Sequence, residues 1–265
     1  MRLPDIPKID AAFVVFVPLI LLLIAPVIGS FLGVLVLRSG DGRSAVLGRS
    51  HCEACHHALD WRDLFPLLSW LMLGRRCRYC GAALSAFYPG IELASFMPVL
   101  WAASVMAGWS LVLSAVLGWM LLALGLIDWC TRRLPNFLTF ALLATGLVAT
   151  LLFDRPAFAD HLIGAAVGYA VFAIIAWLYR KARGFDGLGG GDARLLAALG
   201  AWVSWQGLPI VILLAALLCL GYVGGRAIWR GRIATTERVP FGPFLALAGW
   251  IVWLYGPFIA ALIAG

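Results

Sequence analysis

Long apolar stretches follow one another along almost the whole chain, and they restrict its possible folds more than any motif does. Eight stretches are found, at residues 11–37, 89–108, 109–127, 134–153, 162–179, 193–206, 208–225 and 241–264. A helix needs about 20 apolar residues to cross a bilayer, and 63% of the residues are hydrophobic while 12% are charged. The sequence therefore predicts an all-α integral membrane protein, a polytopic bundle of about eight transmembrane helices. Because the sixth stretch is short, seven is the alternative.

Positive charges predict the orientation of these helices. With eight spans and an outside N-terminus, 17 of the 20 Lys and Arg residues fall in segments on one side, and only Arg2, Lys8 and Arg155 face the other. Loops rich in Lys and Arg stay in the cytoplasm, so we expect a multi-pass membrane protein whose charged loops face the cytoplasm. Topology and contact with membrane lipids then explain the net charge of +7 without a nucleic-acid partner.

A polar segment at residues 38–88 holds four of the six cysteines. Cys52 and Cys55 form one C-x-x-C pair, and Cys77 and Cys80 form a second. Two such pairs at this separation are typical of a zinc-ribbon-like site, and four protein ligands indicate a structural zinc. Two disulfides are the alternative, which a reducing cytoplasm disfavours.

The predicted organisation has three parts. Residues 1–37 form the first transmembrane helix, too long an apolar run for a cleaved signal peptide. Residues 38–88 form the cytoplasmic cysteine loop, inserted between the first two helices. Residues 89–265 form the remaining transmembrane domain.

Three acidic residues lie at apolar stretches: Glu92, Asp128 and Asp192. Ionisable groups at membrane depth are rare and usually functional. Asp128 ends the third stretch and Asp192 opens the sixth, so both are expected at the cytoplasmic boundary. Two neighbouring carboxylates can share a proton and activate water, as in aspartic proteases. Because Asp192 opens a helix and Asp128 ends one, the helix dipoles favour Asp192 as the ionised member.

Glycines precede Asp192 in "GLGGGDARLL", residues 187–196. They are expected to supply backbone conformations that other residues resist and to leave room for a substrate chain. The glycines of this stretch are Gly187, Gly189, Gly190 and Gly191.

Alternative interpretations exist for both acids. Asp192 is also a suitable N-cap for a helix, and Asp128 is near enough to Arg132 and Arg133 in sequence for a surface ion pair. Paired membrane acids beside a glycine-rich helix start are also typical of proton- or ion-coupled transporters.

Six segments together carry a resemblance to a known family. They are "GSFLGVLVLR" (29–38), the paired C-x-x-C loop, "YPGIELAS" (88–95), "DWCTRRLPN" (128–136), "GLGGGDARL" (187–195) and "VPFGPFLALAG" (239–249). In this order, and over nearly the whole chain, they resemble the type IV prepilin peptidase family.

The resemblance implies an aspartic endopeptidase of the G-x-G-D type in the inner membrane. Such enzymes cleave the basic leader of type IV prepilins or type II secretion pseudopilins after a glycine, at the cytoplasmic face. The motif match makes Asp128 and Asp192 the catalytic pair, supported by Gly189, Gly191 and Arg194. Arg194 replaces the usual Lys and keeps its charge.

The resemblance also implies a second activity, methylation of the new N-terminus with S-adenosylmethionine as the methyl donor. Glu92 is a candidate cofactor-binding residue, and its alternative role is that of a buried acid bonded to neighbouring backbone. Gly33, Glu53 and Leu64 stand where the family usually has Asn, Pro and Asn. Since these differences lie in the part associated with methylation, proteolysis is the firmer expectation.

Overall fold

Helices dominate the described structure. The computed structural model describes residues 11–40, 50–63, 65–184, 189–230 and 239–264, and Leu64 and Gly187 lie outside these ranges. The helices are α1 (Ala11–Gly40), α2 (Leu68–Met72), α3 (Phe87–Ala94), α4 (Phe96–Ala103), α5 (Gly108–Thr131), α6 (Asn136–Phe153), α7 (Phe158–Arg183), α8 (Gly190–Arg230) and α9 (Gly242–Ala264). Within the described ranges the extended pairing consists of two isolated β-bridges. The predicted all-α class is confirmed.

In the part of the chain that the structure describes, five helices are long and apolar enough to cross a membrane: α1, α5, α6, α7 and α8. The protein is therefore a multi-pass membrane protein. The predicted second span is divided between α3 and α4, each only eight residues long. The predicted sixth and seventh spans both lie within α8, and the apolar part of α9, Gly242–Gly256, is short for a span. The number eight stays a prediction.

A break inside α8 separates its two apolar stretches. Ser204 has φ 61° and ψ 177°, so the helical backbone is interrupted there. Residues that follow the break bond to α7: Trp205 Nε1 and Gln206 Nε2 donate hydrogen bonds to the carboxylate of Asp160, in the first turn of α7. The two stretches are thus consecutive helices joined at a kink.

Contacts within the chain define two compact units. One comprises Lys8–Trp119, and the other contains Met120–Gly265. The boundary differs from the predicted organisation into residues 1–37, 38–88 and 89–265, which stays a prediction.

In the first unit, α1 packs closely against α3. A Cβ atom on Gly29 would lie 2.7 Å from the Cα of Glu92, so a larger residue would push the helices apart. The Ser95 hydroxyl donates to the Ala25 carbonyl oxygen at 2.7 Å, and Trp119 Nε1 donates to the Ser95 carbonyl oxygen at 2.8 Å. These buried contacts fix α3 and the polar residues beside it.

In the second unit, small residues let α7 and α8 approach each other. A Cβ atom on Gly164 would lie 2.5 Å from the carbonyl oxygen of Gly200, and one on Gly168 would lie 2.6 Å from that of Leu196. Such small-residue spacing allows close backbone packing in membranes. The Trp202 indole, on the same half of α8, donates to the Leu142 carbonyl oxygen of α6 at 2.8 Å. The start of α8 is therefore fixed between α6 and α7.

Candidate functional site

Two acidic side chains are brought to one end of the second unit by short connections between antiparallel helices. Only residues 132–135 join α5 to α6, and six residues separate α7 from α8. The end of α5 and the start of α8 consequently lie at the same end. Asp128 is in the last turn of α5, with 6% of its surface exposed, and Asp192 is in the first turn of α8.

Residues close in sequence to the two acids pack against each other. A Cβ atom on Gly191 would lie 3.1 Å from the Cβ of Leu134, which lies in the connection between α5 and α6. The two carboxyl groups also interact electrostatically. The structure thus brings Asp128 and Asp192 to the same end of the second unit, where such a pair can share one proton; their catalytic roles stay a prediction.

A third helix reaches Asp128. The backbone N–H of Gly242, the first residue of α9, donates a buried hydrogen bond to Asp128 Oδ2 at 3.0 Å. The sequence suggests that Gly242 permits close approach of helices at the start of the last span, but it does not indicate a contact with Asp128. The available signal was a glycine placed between Phe241 and Pro243 at a helix start.

The glycines before Asp192 act through their small size. Among Gly189, Gly190 and Gly191, none has a φ in the left-handed region. A Cβ atom on Gly189 would lie 3.2 Å from Asp192 Oδ2, whereas one on Gly190 would meet open space. The expectation that unusual backbone conformations explain these three glycines is therefore wrong; at Gly189 and Gly191 a Cβ atom would instead make tight contacts, so that a neighbouring side chain must shift by a few tenths of an ångström.

The N-cap interpretation of Asp192 is also wrong. Helix α8 begins at Gly190, so Asp192 occupies its first turn. Its own N–H donates to the Gly189 carbonyl oxygen at 3.0 Å. Arg194, predicted to support the site, is half-buried, and its Nε has no hydrogen-bond partner among the described residues.

The four predicted metal ligands converge in the first unit. The sulfur atoms of Cys52, Cys55, Cys77 and Cys80 all lie within 4.8 Å of one another. All six cysteines of the chain are free, so the disulfide alternative is not what the structure contains. Backbone N–H groups of Cys55 and Ala54 lower the pKa of Cys52 to about 7, which favours the thiolate that binds metal. Four converging sulfurs fit a tetrahedral zinc.

The two cysteine pairs adopt the same local fold. In the first, the N–H of His56 donates to the Cys52 carbonyl oxygen, and in the second Gly81 donates to Cys77, both at 2.9 Å. His56 and Gly81 both have positive φ, at 56° and 72°. One antiparallel bridge closes each turn, His51 with Ala58 and Arg76 with Ala83. We call these two turns the knuckles, residues 50–59 and 75–84.

Glu92 is buried beside the cysteine loop, with 5% of its surface exposed. Its Oε2 accepts a hydrogen bond from the N–H of Leu67 at 2.8 Å. The structure therefore contains the backbone hydrogen bond that is expected if Glu92 is a buried acid bonded to neighbouring backbone. Glu92 also lines a cavity of about 530 Å³, and its role in cofactor binding stays a prediction.

Acidic and aromatic side chains contribute to the lining of this cavity. Glu53, Asp63 and Glu92 supply carboxylates, and Trp70 and Tyr88 supply rings. Its volume is within the range of about 300–1,000 Å³ that is typical of small-molecule sites.

Comparison with known proteins assigns the family. Residues 23–106 match the bacterial Peptidase A24 N-terminal domain, and residues 115–224 match the type IV leader peptidase family. A prepilin leader peptidase/N-methyltransferase of Aeromonas salmonicida (strain A449) is 43% identical over 209 residues, covering 78% of this chain and 72% of the relative. The chain belongs to the type IV leader peptidase family.

Other members of the type IV leader peptidase family give the same result. Proteins with the same name from Burkholderia pseudomallei (strain K96243) and Pseudomonas aeruginosa (strain PAO1) are 41% and 40% identical. The alignments cover 82% and 80% of this chain, and 70% and 73% of those relatives. No solved structure matches the chain. The predicted family is confirmed, and the chain is a peptidase.

Proposed function

We propose that the chain is an aspartic endopeptidase of the bacterial inner membrane that removes the basic leader of type IV prepilins or type II secretion pseudopilins. Cleavage follows a glycine at the cytoplasmic membrane face. The observation that carries the proposal is the juxtaposition of Asp128 and Asp192 at adjacent helix ends, in a chain of this peptidase family.

Hydrolysis by two carboxyl groups needs only water as the second reactant. The ionised carboxylate accepts a proton from water while the water oxygen attacks the scissile carbonyl carbon, and the protonated carboxyl group donates its proton to the carbonyl oxygen. When the tetrahedral intermediate collapses, the C–N bond breaks, the leaving nitrogen takes the proton that the first carboxylate accepted from water, and a hydroxyl group of the intermediate returns a proton to the second carboxylate as the carbonyl group of the product forms. Asp128 and Asp192 fill these two roles.

Charge at the same end of the second unit supports the cytoplasmic placement. Arg132 and Arg133 follow Asp128, and Arg180, Lys181 and Arg183 end α7. Lys and Arg concentrate on the cytoplasmic side of membrane proteins. They also favour anionic lipid headgroups as neighbours.

The test is cleavage of a synthetic prepilin-like peptide with a basic leader, a glycine and an apolar helix. The full chain in detergent is expected to cut it after the glycine, whereas Asp128→Asn and Asp192→Asn are each expected to lose at least about 10³-fold in kcat. Asp154→Asn, which changes a carboxyl group at the end of α6, is the matched control and retains activity. A folded wild-type chain that leaves the peptide intact but moves protons across vesicle membranes would instead support a transporter.

A second activity is proposed for the first unit: methylation of the new N-terminus with S-adenosylmethionine. The relatives carry N-methyltransferase in their names, and the cavity of about 530 Å³ supplies a site with suitable chemistry. The carboxylates of Glu53 and Glu92 suit the cationic sulfonium and ammonium groups of the donor, and the Trp70 ring suits its adenine. When bound, the cofactor supplies the methyl group. A zinc held by the four cysteines stabilises the knuckles beside this cavity.

Glu53 offers a direct test that does not depend on turnover. It lines the cavity, and its Oε1 accepts a hydrogen bond from the Tyr88 hydroxyl at 3.1 Å. Binding of S-adenosylmethionine and the uncharged-sulfur analogue S-adenosylhomocysteine is measured by calorimetry on the full chain. Glu53→Gln is expected to remove most of the preference for the sulfonium compound, while Asp60→Asn, in the same loop but outside the cavity lining, keeps it. An equal preference in both variants contradicts this placement of the cofactor.

A further inference from the structure

The first turn of α9 has a backbone N–H group directed at a catalytic carboxylate. The first amides of a helix have no partner within the helix. The amides of Phe244 and Leu245 bond to the Phe241 carbonyl oxygen at 3.1 Å, but the amide of Gly242 bonds to Asp128 Oδ2 at 3.0 Å. This contact is buried and joins residues 114 positions apart.

Gly242 also lacks space for any side chain. A Cβ atom there would lie 2.6 Å from Asp128 Oδ2 and 2.9 Å from its Cγ. The start of α9 is held in place by an aromatic contact between Phe241 and Phe172 of α7, with ring centroids 6.1 Å apart. Because α9 is anchored, a side chain at position 242 must displace the Asp128 carboxyl group.

We propose that Gly242 is a positioning residue of the peptidase, whose N–H holds the Asp128 carboxylate in the orientation used in hydrolysis. The inference rests on the proposed catalytic role of Asp128. A hydrogen bond to Oδ2 leaves Oδ1 as the oxygen that exchanges a proton with water or substrate. Asp192 on α8 is the charged group that interacts with Asp128, and the N–H of Gly242 is the hydrogen-bond donor from α9.

Loss of this donor has a predictable signature. A backbone N–H at a helix start stabilises the ionised form of a carboxyl group more than the neutral form. Without it Asp128 takes up its proton at higher pH, whichever of the two catalytic roles it fills. Loss of a hydrogen bond to a charged group moves the pH at which that group titrates by about one unit or more.

The experiment compares Gly242→Ala with Gly125→Ala by peptide cleavage between pH 4 and 9. Gly125 faces the same turn of α9, but a Cβ atom there would lie at an ordinary 3.7 Å from Pro243 and would not touch Asp128. We expect Gly242→Ala to lower kcat at least about tenfold and to move the pH profile of kcat upward by about one unit, with KM within twofold of wild type. An unmoved profile, or a change confined to KM, overturns the proposal.

A second measurement needs neither activity nor a folded Gly242 variant. Hydrogen exchange of the segment 239–245 reports the Gly242 amide, and Asp128→Ala is expected to speed its exchange at least about tenfold. Asp128→Asn keeps an acceptor oxygen and is expected to preserve protection, as is Asp192→Asn. Unchanged exchange in Asp128→Ala overturns the inference, whereas failure of the wild-type chain to cleave the peptide overturns only the proposed function.

Discussion

Substitution of Cys80 tests the zinc site most directly. In a regular tetrahedron with metal–sulfur bonds of about 2.3 Å, the sulfur atoms lie about 3.8 Å apart. The Sγ atoms of Cys52 and Cys80 are 3.8 Å apart, and all four sulfurs fall within 4.8 Å. We therefore expect one zinc per wild-type chain and well under half an equivalent in Cys80→Ser.

The size of the structural effect follows from how little else stabilises the knuckles. Among residues 50–86 with described burial, only Cys52 and Cys77 are buried. The ion pair between Arg78 and Asp63, at 2.8 Å, is partly exposed and contributes about 0–1 kcal/mol. Structural zinc contributes about 10–16 kcal/mol in zinc-finger peptides. Loss of even about 4 kcal/mol of this stabilisation would raise the fraction of chains with an open knuckle about a thousandfold.

Limited trypsin digestion measures that population, because Arg75, Arg76 and Arg78 all lie on the second knuckle. Cleavage there is expected to be about 10³-fold faster in Cys80→Ser than in wild type, provided that opening and closing are fast relative to cleavage. Cys130→Ser, which changes an exposed cysteine outside the cluster, is the matched control. Metal content is read by plasma mass spectrometry. A full zinc equivalent in Cys80→Ser, or a trypsin rate equal to that of the control, would refute this reasoning.

Two further predictions concern packing and backbone strain. Gly200→Ala is expected to destabilise the second unit by about 1–3 kcal/mol, because its Cβ would overlap the Gly164 carbonyl group. Thermal unfolding in detergent measures the effect, and the control is Gly221→Ala, where a Cβ atom meets open space. Equal melting temperatures of the two variants would contradict the prediction. His56→Gly is expected to stabilise the zinc-loaded knuckle by about 1 kcal/mol, since His56 has φ 56° where the second knuckle has glycine. Trypsin cleavage of the loop is expected to be slower in His56→Gly than in wild type. Faster cleavage would show that the contacts of the histidine side chain stabilise the knuckle more than its backbone strain destabilises it.

Much of the site can be predicted from local patterns. The cysteine pairs are recognisable because metal coordination requires a fixed local spacing, which each C-x-x-C carries within four residues. Asp128 and Asp192 stand out because a carboxyl group at the edge of an apolar helix is costly to bury. Short connections between antiparallel helices then predict that both acids lie at one end.

Local patterns mislead where a neighbouring element decides the outcome. Gly189 and Gly191 suggest unusual backbone angles, but their φ values are ordinary, and Asp192 and Leu134 beside them leave only tight space for a Cβ atom. The helix-dipole argument for Asp192 as the ionised acid stays a prediction, because it considers only the helix that carries each acid. The N–H of Gly242 adds a donor to Asp128 from a third helix.

The amino-acid sequence alone determines the membrane class and predicts the four-cysteine cluster and the acidic pair, since each depends on residue type and short-range spacing. The tertiary structure decides the break at Ser204, the bond between Glu92 and Leu67, and the approach of Gly242 to Asp128. These features join helices or loops that are distant in the chain, and no local periodicity encodes which backbone amide will meet a buried carboxylate.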